Sequence, residues 1–195
     1  LTEAGLVANA PSCRILDLGT GTAQIPIELV RRARETIASA RLEVAAVDLA
    51  AEMLVLAKRN VAAAGMSDVI RLERLDAKTL PYPSGRFTAV MSNSIVHHIP
   101  EPKESLAEAV RVTAPGGLLF FRDLQRPTDE VELTRLVELY ADGATPSQRQ
   151  LFSQSLRAAL TVDEVQAIVE RLGFDRGGVA QTSDRHWTWV GRKTG

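Results

Sequence analysis

The sequence predicts an α/β architecture, a doubly wound and mostly parallel sheet with helices on both faces and an antiparallel last strand. Two observations predict it. Short apolar runs of strand length alternate with longer amphipathic segments from residue 14 to about residue 122, an order that demands right-handed crossovers between parallel strands. Four of those runs also end beside a polar side chain, Asp17, Asp48, Asp76 or Asn93, at the strand ends where open α/β sheets receive ligands.

Each element follows from local pattern. Arg14–Leu18 is short and apolar enough for a buried strand, and Thr22 to about Ala38 follows as a helix that tolerates Pro26 near its first turn. Leu42–Val47 is the second strand. The helix from about Ala50 to Ala64 carries Met53, Leu56, Ala57 and Val61 on one face and stops at Gly65. Val69–Leu72 is the third strand, and Pro81, Pro83 and Gly85 forbid regular structure after it. Phe87–Ser92 is the fourth strand, Pro102–Val112 a helix, Pro115-Gly116-Gly117 a turn and Leu118–Arg122 the fifth strand, which makes five strand-then-helix units in succession. Asp129–Asp142 and Ser147–Ala159 read as two extra helices. Thr161 and Glu164 form a capping box for a helix that runs to Leu172 and stops at Gly173. Gly177–Thr182 and Trp187–Arg192 close the chain as an antiparallel pair.

Composition bounds the function. The 195 residues, 45% of them hydrophobic, fit one domain over 1–195, with 124–160 as a helical insertion. With 23 basic and 24 acidic residues the formal charge is −1, which disfavours a nucleic-acid partner because phosphate contacts supply most of that affinity. The cluster Arg31-Arg32-Ala33-Arg34 is a solvated helix face. The lone Cys13 excludes an internal disulfide and a multi-cysteine zinc site, so no metal is expected and cytoplasmic residence fits. No apolar run approaches the ~18 residues of a membrane span, and no signal-peptide pattern opens the chain. A start at Leu1 rather than methionine implies trimming or a missing upstream segment that would bear on the site.

The chemistry centres on Asp17-Leu18-Gly19-Thr20-Gly21, where a buried strand turns through a Gly-x-Gly loop into a helix. Glycine there enters positive φ cheaply and lets a ligand approach the main chain. Gln24 stands where a dinucleotide fingerprint would have its third glycine, and Asp17 would repel a pyrophosphate but attract an ammonium. The loop is therefore expected to take a cationic ligand. Singly, each strand-end aspartate reads equally as a turn or N-cap residue; jointly, four polar ends converging on one crevice favour ligand binding.

This pattern resembles the class I S-adenosylmethionine-dependent methyltransferases, in particular their small-molecule, type-11 branch. The resemblance runs from about Arg14 to Arg122, with Gly173-Phe174 and Trp187–Gly191 also fitting. It implies a seven-stranded Rossmann-like sheet, S-adenosyl-L-methionine as cofactor, S-adenosyl-L-homocysteine as product and a small-molecule methyl acceptor. In its terms Gly19, Thr20 and Gly21 lie against the methionine portion, Asp17 holds the ammonium, Asp48 followed by Leu49 takes the ribose hydroxyls, Asp76 and Ala77 meet the adenine, and Ser92 or Asn93 lines the methionine side. Asp48 lies 27 positions past Gly21, against roughly 20 in dinucleotide enzymes, and a longer helix accounts for the difference. Should the acceptor have to lose a proton, His97 or His98 is the candidate base; the alternative is a packing or hydrogen-bonding role for both. The acceptor lid is placed at Leu124–Leu160, with Tyr140, Phe152 and Arg157 either facing an acceptor or serving a purely structural or dimerising role. Two rival readings share these residues: a non-catalytic S-adenosylmethionine-binding domain, and a nicotinamide-dinucleotide oxidoreductase on the same fold.

Overall fold

The computed structural model describes residues 12–36 and 41–195. Seven strands form one sheet in the order β3-β2-β1-β4-β5-β7-β6. They are β1 (Cys13–Leu18), β2 (Leu42–Asp48), β3 (Ile70–Arg74), β4 (Phe87–Asn93), β5 (Thr113–Leu124), β6 (Val179–Ser183) and β7 (His186–Arg192). Only β7 runs against its neighbours. The helices are α1 (Gln24–Thr36), α2 (Ala51–Ala63), α3 (Pro102–Val112), α4 (Glu130–Tyr140), α5 (Pro146–Ala158) and α6 (Val162–Arg171). The doubly wound, mostly parallel sheet with an antiparallel last strand is as the sequence predicts.

Alternation along each strand sends successive side chains to opposite faces. Leu16, Leu18, Val90, Leu119 and Phe121 point to one face, where they meet Leu106 and Ala109 of α3 and Val165 and Val169 of α6. Ile15, Val44, Ala46, Ala89 and Met91 point to the other, against Ile27 and Val30 of α1 and Ala57 and Val61 of α2. Burial on both faces is why these strands read as apolar runs rather than alternating ones. The chain steps outward from β1 to β2 and β3, then returns to lay β4 on the other side of β1. Strand order reverses between β1 and β4, and this opens a crevice at their carboxyl ends.

Three expectations are corrected. No helix joins β3 to β4, because Pro81, Pro83 and Gly85 hold that connection irregular, so the crossovers are not five uniform strand-then-helix units. Pro115-Gly116-Gly117 is not a turn ahead of β5 but a bulge within it. The register jumps from Phe87 opposite Thr113 to Ala89 opposite Leu118, with Gly116 at φ +74 and its N–H donated to the Lys193 carbonyl at 2.7 Å. Cross-strand partners beyond β7 turn a turn-like sequence into strand. Finally, α1 starts at Gln24 rather than Thr22, because Ala23 sits at φ +62; the predicted end of this helix at Ala38 lies outside the described residues.

A satellite core of Leu124, Leu133, Leu136, Leu156 and Ala159 joins α4 and α5 to the end of β5. The capping box of α6 forms as predicted, with Thr161 Oγ1 accepting from Glu164 N–H and Glu164 Oε2 accepting from Thr161 N–H. On the α3/α6 face, Trp189 is fully buried, its ring 5.5 Å from Phe121 and edge-on to Phe174 at 5.2 Å. Its indole N–H has no partner. Trp189→Ala should therefore lower stability by about 3–5 kcal/mol, whereas Trp189→Phe should recover much of this because it also removes an orphaned donor. Urea unfolding midpoints at unchanged slope would measure both.

Candidate functional site

The loop after β1 is built by its neighbours. One carbonyl, that of Val47 at the end of β2, accepts from both Gly19 N–H and Thr20 N–H at 2.9 Å. The Asp48 carboxylate completes the tie: Oδ2 accepts Gly21 N–H at 2.8 Å and Oδ1 accepts Ala50 N–H at 2.9 Å. Asn60 of α2 donates to the Thr22 carbonyl at 2.9 Å from the other side. Gly19, at φ +70, lies so close to Ile95 that a Cβ there would sit 2.5 Å from Ile95 Cγ1. Gly21, at φ +54, has no atom within 4 Å of the same position. One glycine permits packing and the other leaves the main chain open to a ligand.

That opening belongs to a cavity of about 590 Å³ at the carboxyl ends of β1, β2 and β3, within the range of small-molecule sites. Gly19, Gly21, Asp48, Asp76, Ala77 and His98 line it, and Leu49, Met53 and Leu75 supply an apolar side. None of the lining residues is Lys or Arg, so its charge is that of carboxylates. Asp76 is partly engaged, its Oδ1 accepting Lys78 N–H at 2.9 Å and its Oδ2 lying 3.8 Å from Lys78 Nζ. The N-cap alternative for Asp48 does not hold, because α2 is capped at Ala50 without any side-chain bond.

Asp17 lies beneath the loop, 2% exposed, and its Oδ2 has no hydrogen-bond partner. Burial pushes its carboxyl up to about 7; the neighbouring Thr20 hydroxyl draws it down and the Asp48 charge adds to the rise. Thr20 Oγ1 is buried beside it and meets no other group. A buried carboxyl with one oxygen unbonded under an open glycine loop suits an ammonium group. Asp48 keeps acceptor capacity on both oxygens after its backbone bonds, which suits a diol. The apolar side between Leu49, Met53 and Ala77 suits an aromatic base. The residues present thus fit S-adenosylmethionine, and they offer a pyrophosphate only carboxylates.

Other predicted residues are placed differently. Ser92 does not line the cavity: it points to the face opposite Asp17 and donates to the Leu18 carbonyl at 2.9 Å, buried between β1 and β4. Asn93 also lies outside the lining and donates to Ser94 Oγ at 3.1 Å. The adjacent Ser94, Ile95 and Ile99, which the sequence does not assign to the site, line it instead. His97 and His98, paired in the sequence reading, part company. His98 lines the cavity, and burial together with the His97 ring holds it below the usual imidazole range, Asp123 pulling the other way. His97 is turned inward, its Nδ1 2.5 Å from Asp123 Oδ1. Asp123 does not stand out in the sequence; it lies one position past the predicted fifth strand but inside β5, a strand-end carboxylate like Asp17 and Asp48.

In the insertion, α5 packs against the turn that carries the two histidines. Tyr140 and Arg157 are each engaged within the protein. Tyr140 donates to Asp184 Oδ2 at 2.8 Å beneath the Arg185 guanidinium, and Arg157 pairs with Glu130. Phe152 packs on the satellite core. Among the described residues no cluster of His, Cys, Asp and Glu could hold a metal ion, and no helix is long and apolar enough to cross a membrane.

The buried carboxyl carries a stability signature. Its folded value of about 7 against 3.8 for an ordinary Asp means that the folded state binds more protons between those pH values, so Asp17 destabilises the free protein increasingly as pH rises through that window. Asp17→Asn cannot ionise. The free variant should melt above the wild type at pH 8, by the order of a few kcal/mol, with the difference closing near pH 4. A lower melting temperature at pH 8 would contradict an unpaired buried carboxylate.

Residues 16–121, more than half of the chain, match the methyltransferase-domain family. The demethylmenaquinone methyltransferase of Thermus thermophilus is 36% identical over 114 residues, 58% of this chain and 48% of that protein. The phosphatidylethanolamine N-methyltransferase of Cereibacter sphaeroides is 32% identical over 110 residues, 56% of this chain and 49% of that protein. The chain spans about half the length of these curated relatives. The structure of an S-adenosylmethionine-dependent methyltransferase from Aquifex aeolicus superposes with a TM-score of 0.69 at 19% identity, covering 98% of this chain and 86% of that one, and shows the fold alone. With its sequence match, strand order and glycine loop in agreement, the chain belongs to the methyltransferase-domain family.

Proposed function

We propose that this chain binds S-adenosylmethionine in the cavity beside the Gly19–Gly21 loop and transfers its methyl group to a small-molecule acceptor. The observation that carries the reading is the Asp17–Gly19–Gly21–Asp48 arrangement, a buried carboxyl with one oxygen unbonded and a loop-tying carboxylate about one open glycine turn. The cofactor supplies an electrophilic methyl on a sulfonium, open to in-line displacement. The work left to the protein is alignment and exclusion of water. Asp17 holds the ammonium, Asp48 the ribose hydroxyls, and Leu49, Asp76 and Ala77 the adenine. Gly19 and Gly21 bring main chain against the methionine portion. His98, on the cavity wall and held neutral at pH 7, accepts the proton where the acceptor must lose one.

The two named relatives bear on the acceptor only as a class: one is named for a quinone precursor, the other for a phospholipid amine. The α4–α5 pair, packed against the His98 turn, serves as the lid over that acceptor, within a single domain. We extend the reading to a cytoplasmic setting, where a reduced thiol such as Cys13 is ordinary, and to no nucleic-acid partner, since the cavity bears carboxylates and no cation. These carboxylates also count against a nicotinamide dinucleotide. Turnover of any acceptor would set aside a purely binding role.

S-adenosylhomocysteine at ~100 times its dissociation constant should stabilise the protein by about 2.7 kcal/mol. Asp48→Ala should weaken its binding by at least ~10-fold, because charge-assisted hydrogen bonds are worth about 1.5–3 kcal/mol each. A thermal shift with NAD and none with S-adenosylhomocysteine would overturn the reading.

A further inference from the structure

The cavity wall that follows β4 is held from behind by one buried side chain. Asp123, with 1% of its side chain exposed, sits at the carboxyl end of β5. Its Oδ2 accepts Val96 N–H at 2.5 Å; its Oδ1 accepts Leu124 N–H at 2.6 Å and faces His97 Nδ1 at 2.5 Å. Since a carboxylate only accepts, the His97 proton is assigned to Nδ1. The His97 ring, 5% exposed at its side chain, lies 4.0 Å from that of His98 at an interplanar angle of 44°. A backbone bond from Ser94 N–H to the Arg122 carbonyl at 2.9 Å ties the start of the same turn to β5.

Two features show that this turn needs holding. Ser94 has φ +59, a conformation that a residue with a Cβ keeps only where its surroundings over-determine it. Ile95 is pressed against Gly19 of the cofactor loop, so any shift of the turn is passed to that loop. Ser94, Ile95 and His98 all line the cavity, whereas His97 and Asp123 do not. We propose that Asp123 and His97 are positioning residues, which together clasp residues 94–98 to the end of β5 and so set the Ser94, Ile95 and His98 wall of the cavity. The clasp rests on the methyltransferase reading only in its choice of ligand as probe.

The test combines hydrogen exchange with calorimetric titration of S-adenosylhomocysteine on the full chain. Asp123→Asn keeps the shape but replaces an acceptor oxygen by a donor. His97→Ala removes the imidazole, and His97→Asn restores an N–H donor near the position of Nδ1. Asp123→Asn and His97→Ala should each speed exchange across 94–99 by ~10-fold or more and weaken S-adenosylhomocysteine by ~10-fold, while β1 and β4 amides stay protected. His97→Asn should restore both. The clasp is refuted by wild-type exchange and affinity in a folded Asp123→Asn or His97→Ala protein, by exchange that rises equally over the sheet, or by His97→Asn behaving as His97→Ala. Should Asp123→Asn fail to fold, the two His97 variants decide. A wild-type protein that binds no S-adenosylhomocysteine would remove the methyltransferase reading and leave the exchange comparison to judge the clasp.

Discussion

A carboxyl buried with one oxygen unbonded is the constraint on which this site depends. Asp17 is 2% exposed, its Oδ2 unbonded, with a second carboxylate, Asp48, on the same face of the adjoining strand. In a free protein this costs stability at neutral pH, and nothing in the surrounding core removes the cost. A ligand that brings a cation does. The glycine loop opens above this carboxyl, and the cavity walls supply no competing Lys or Arg. Under the proposed function the site is completed by its ligand, one that brings an ammonium rather than phosphates.

The sheet makes that arrangement possible. Reversal of strand order between β1 and β4 leaves the crevice, and the parallel β1/β2 pairing puts Asp48 one position beyond Val47, which is paired with Leu18. From there its carboxylate reaches the Gly21 amide on one side and the Ala50 amide on the other. Asp48 therefore shapes the loop before it meets any ligand, and its two roles are compatible because each oxygen accepts more than one bond. Behind the opposite wall, Asp123 holds the turn of His98. Carboxylates on three strands thus surround one cavity, two facing it or lying under its loop and one fastening its wall.

What the sequence made legible was local. The Asp17-x-Gly19-x-Gly21 turn, the strand-end Asp48 and Asp76 and the capping box at Thr161 depend on residues a few positions apart, and they stand as expected. What it hid depends on pairing at long range. Pro115-Gly116-Gly117 reads as a turn until the tail after β7 pairs with it. Ser92 reads as a site residue until strand alternation turns it to the face away from Asp17. The pairing of Tyr140 with Asp184 and of Arg157 with Glu130 joins residues 27 to 44 positions apart, beyond the reach of local pattern. Asp123 escaped notice because its partners, Val96 and His97, lie more than twenty positions upstream and meet it only when β4 and β5 align.

Ligand binding at this site rests on Asp17 losing its proton to solvent as an ammonium comes to lie beside it. Calorimetric titration of S-adenosylhomocysteine at pH 7, in two buffers of different ionisation enthalpy, measures this directly. A carboxyl that titrates near 7 in the free protein should release a sizeable fraction of a proton on binding, and Asp17→Asn should release none. Tight binding without proton release from the wild type, unchanged by Asp17→Asn, would contradict the central role given to this carboxylate.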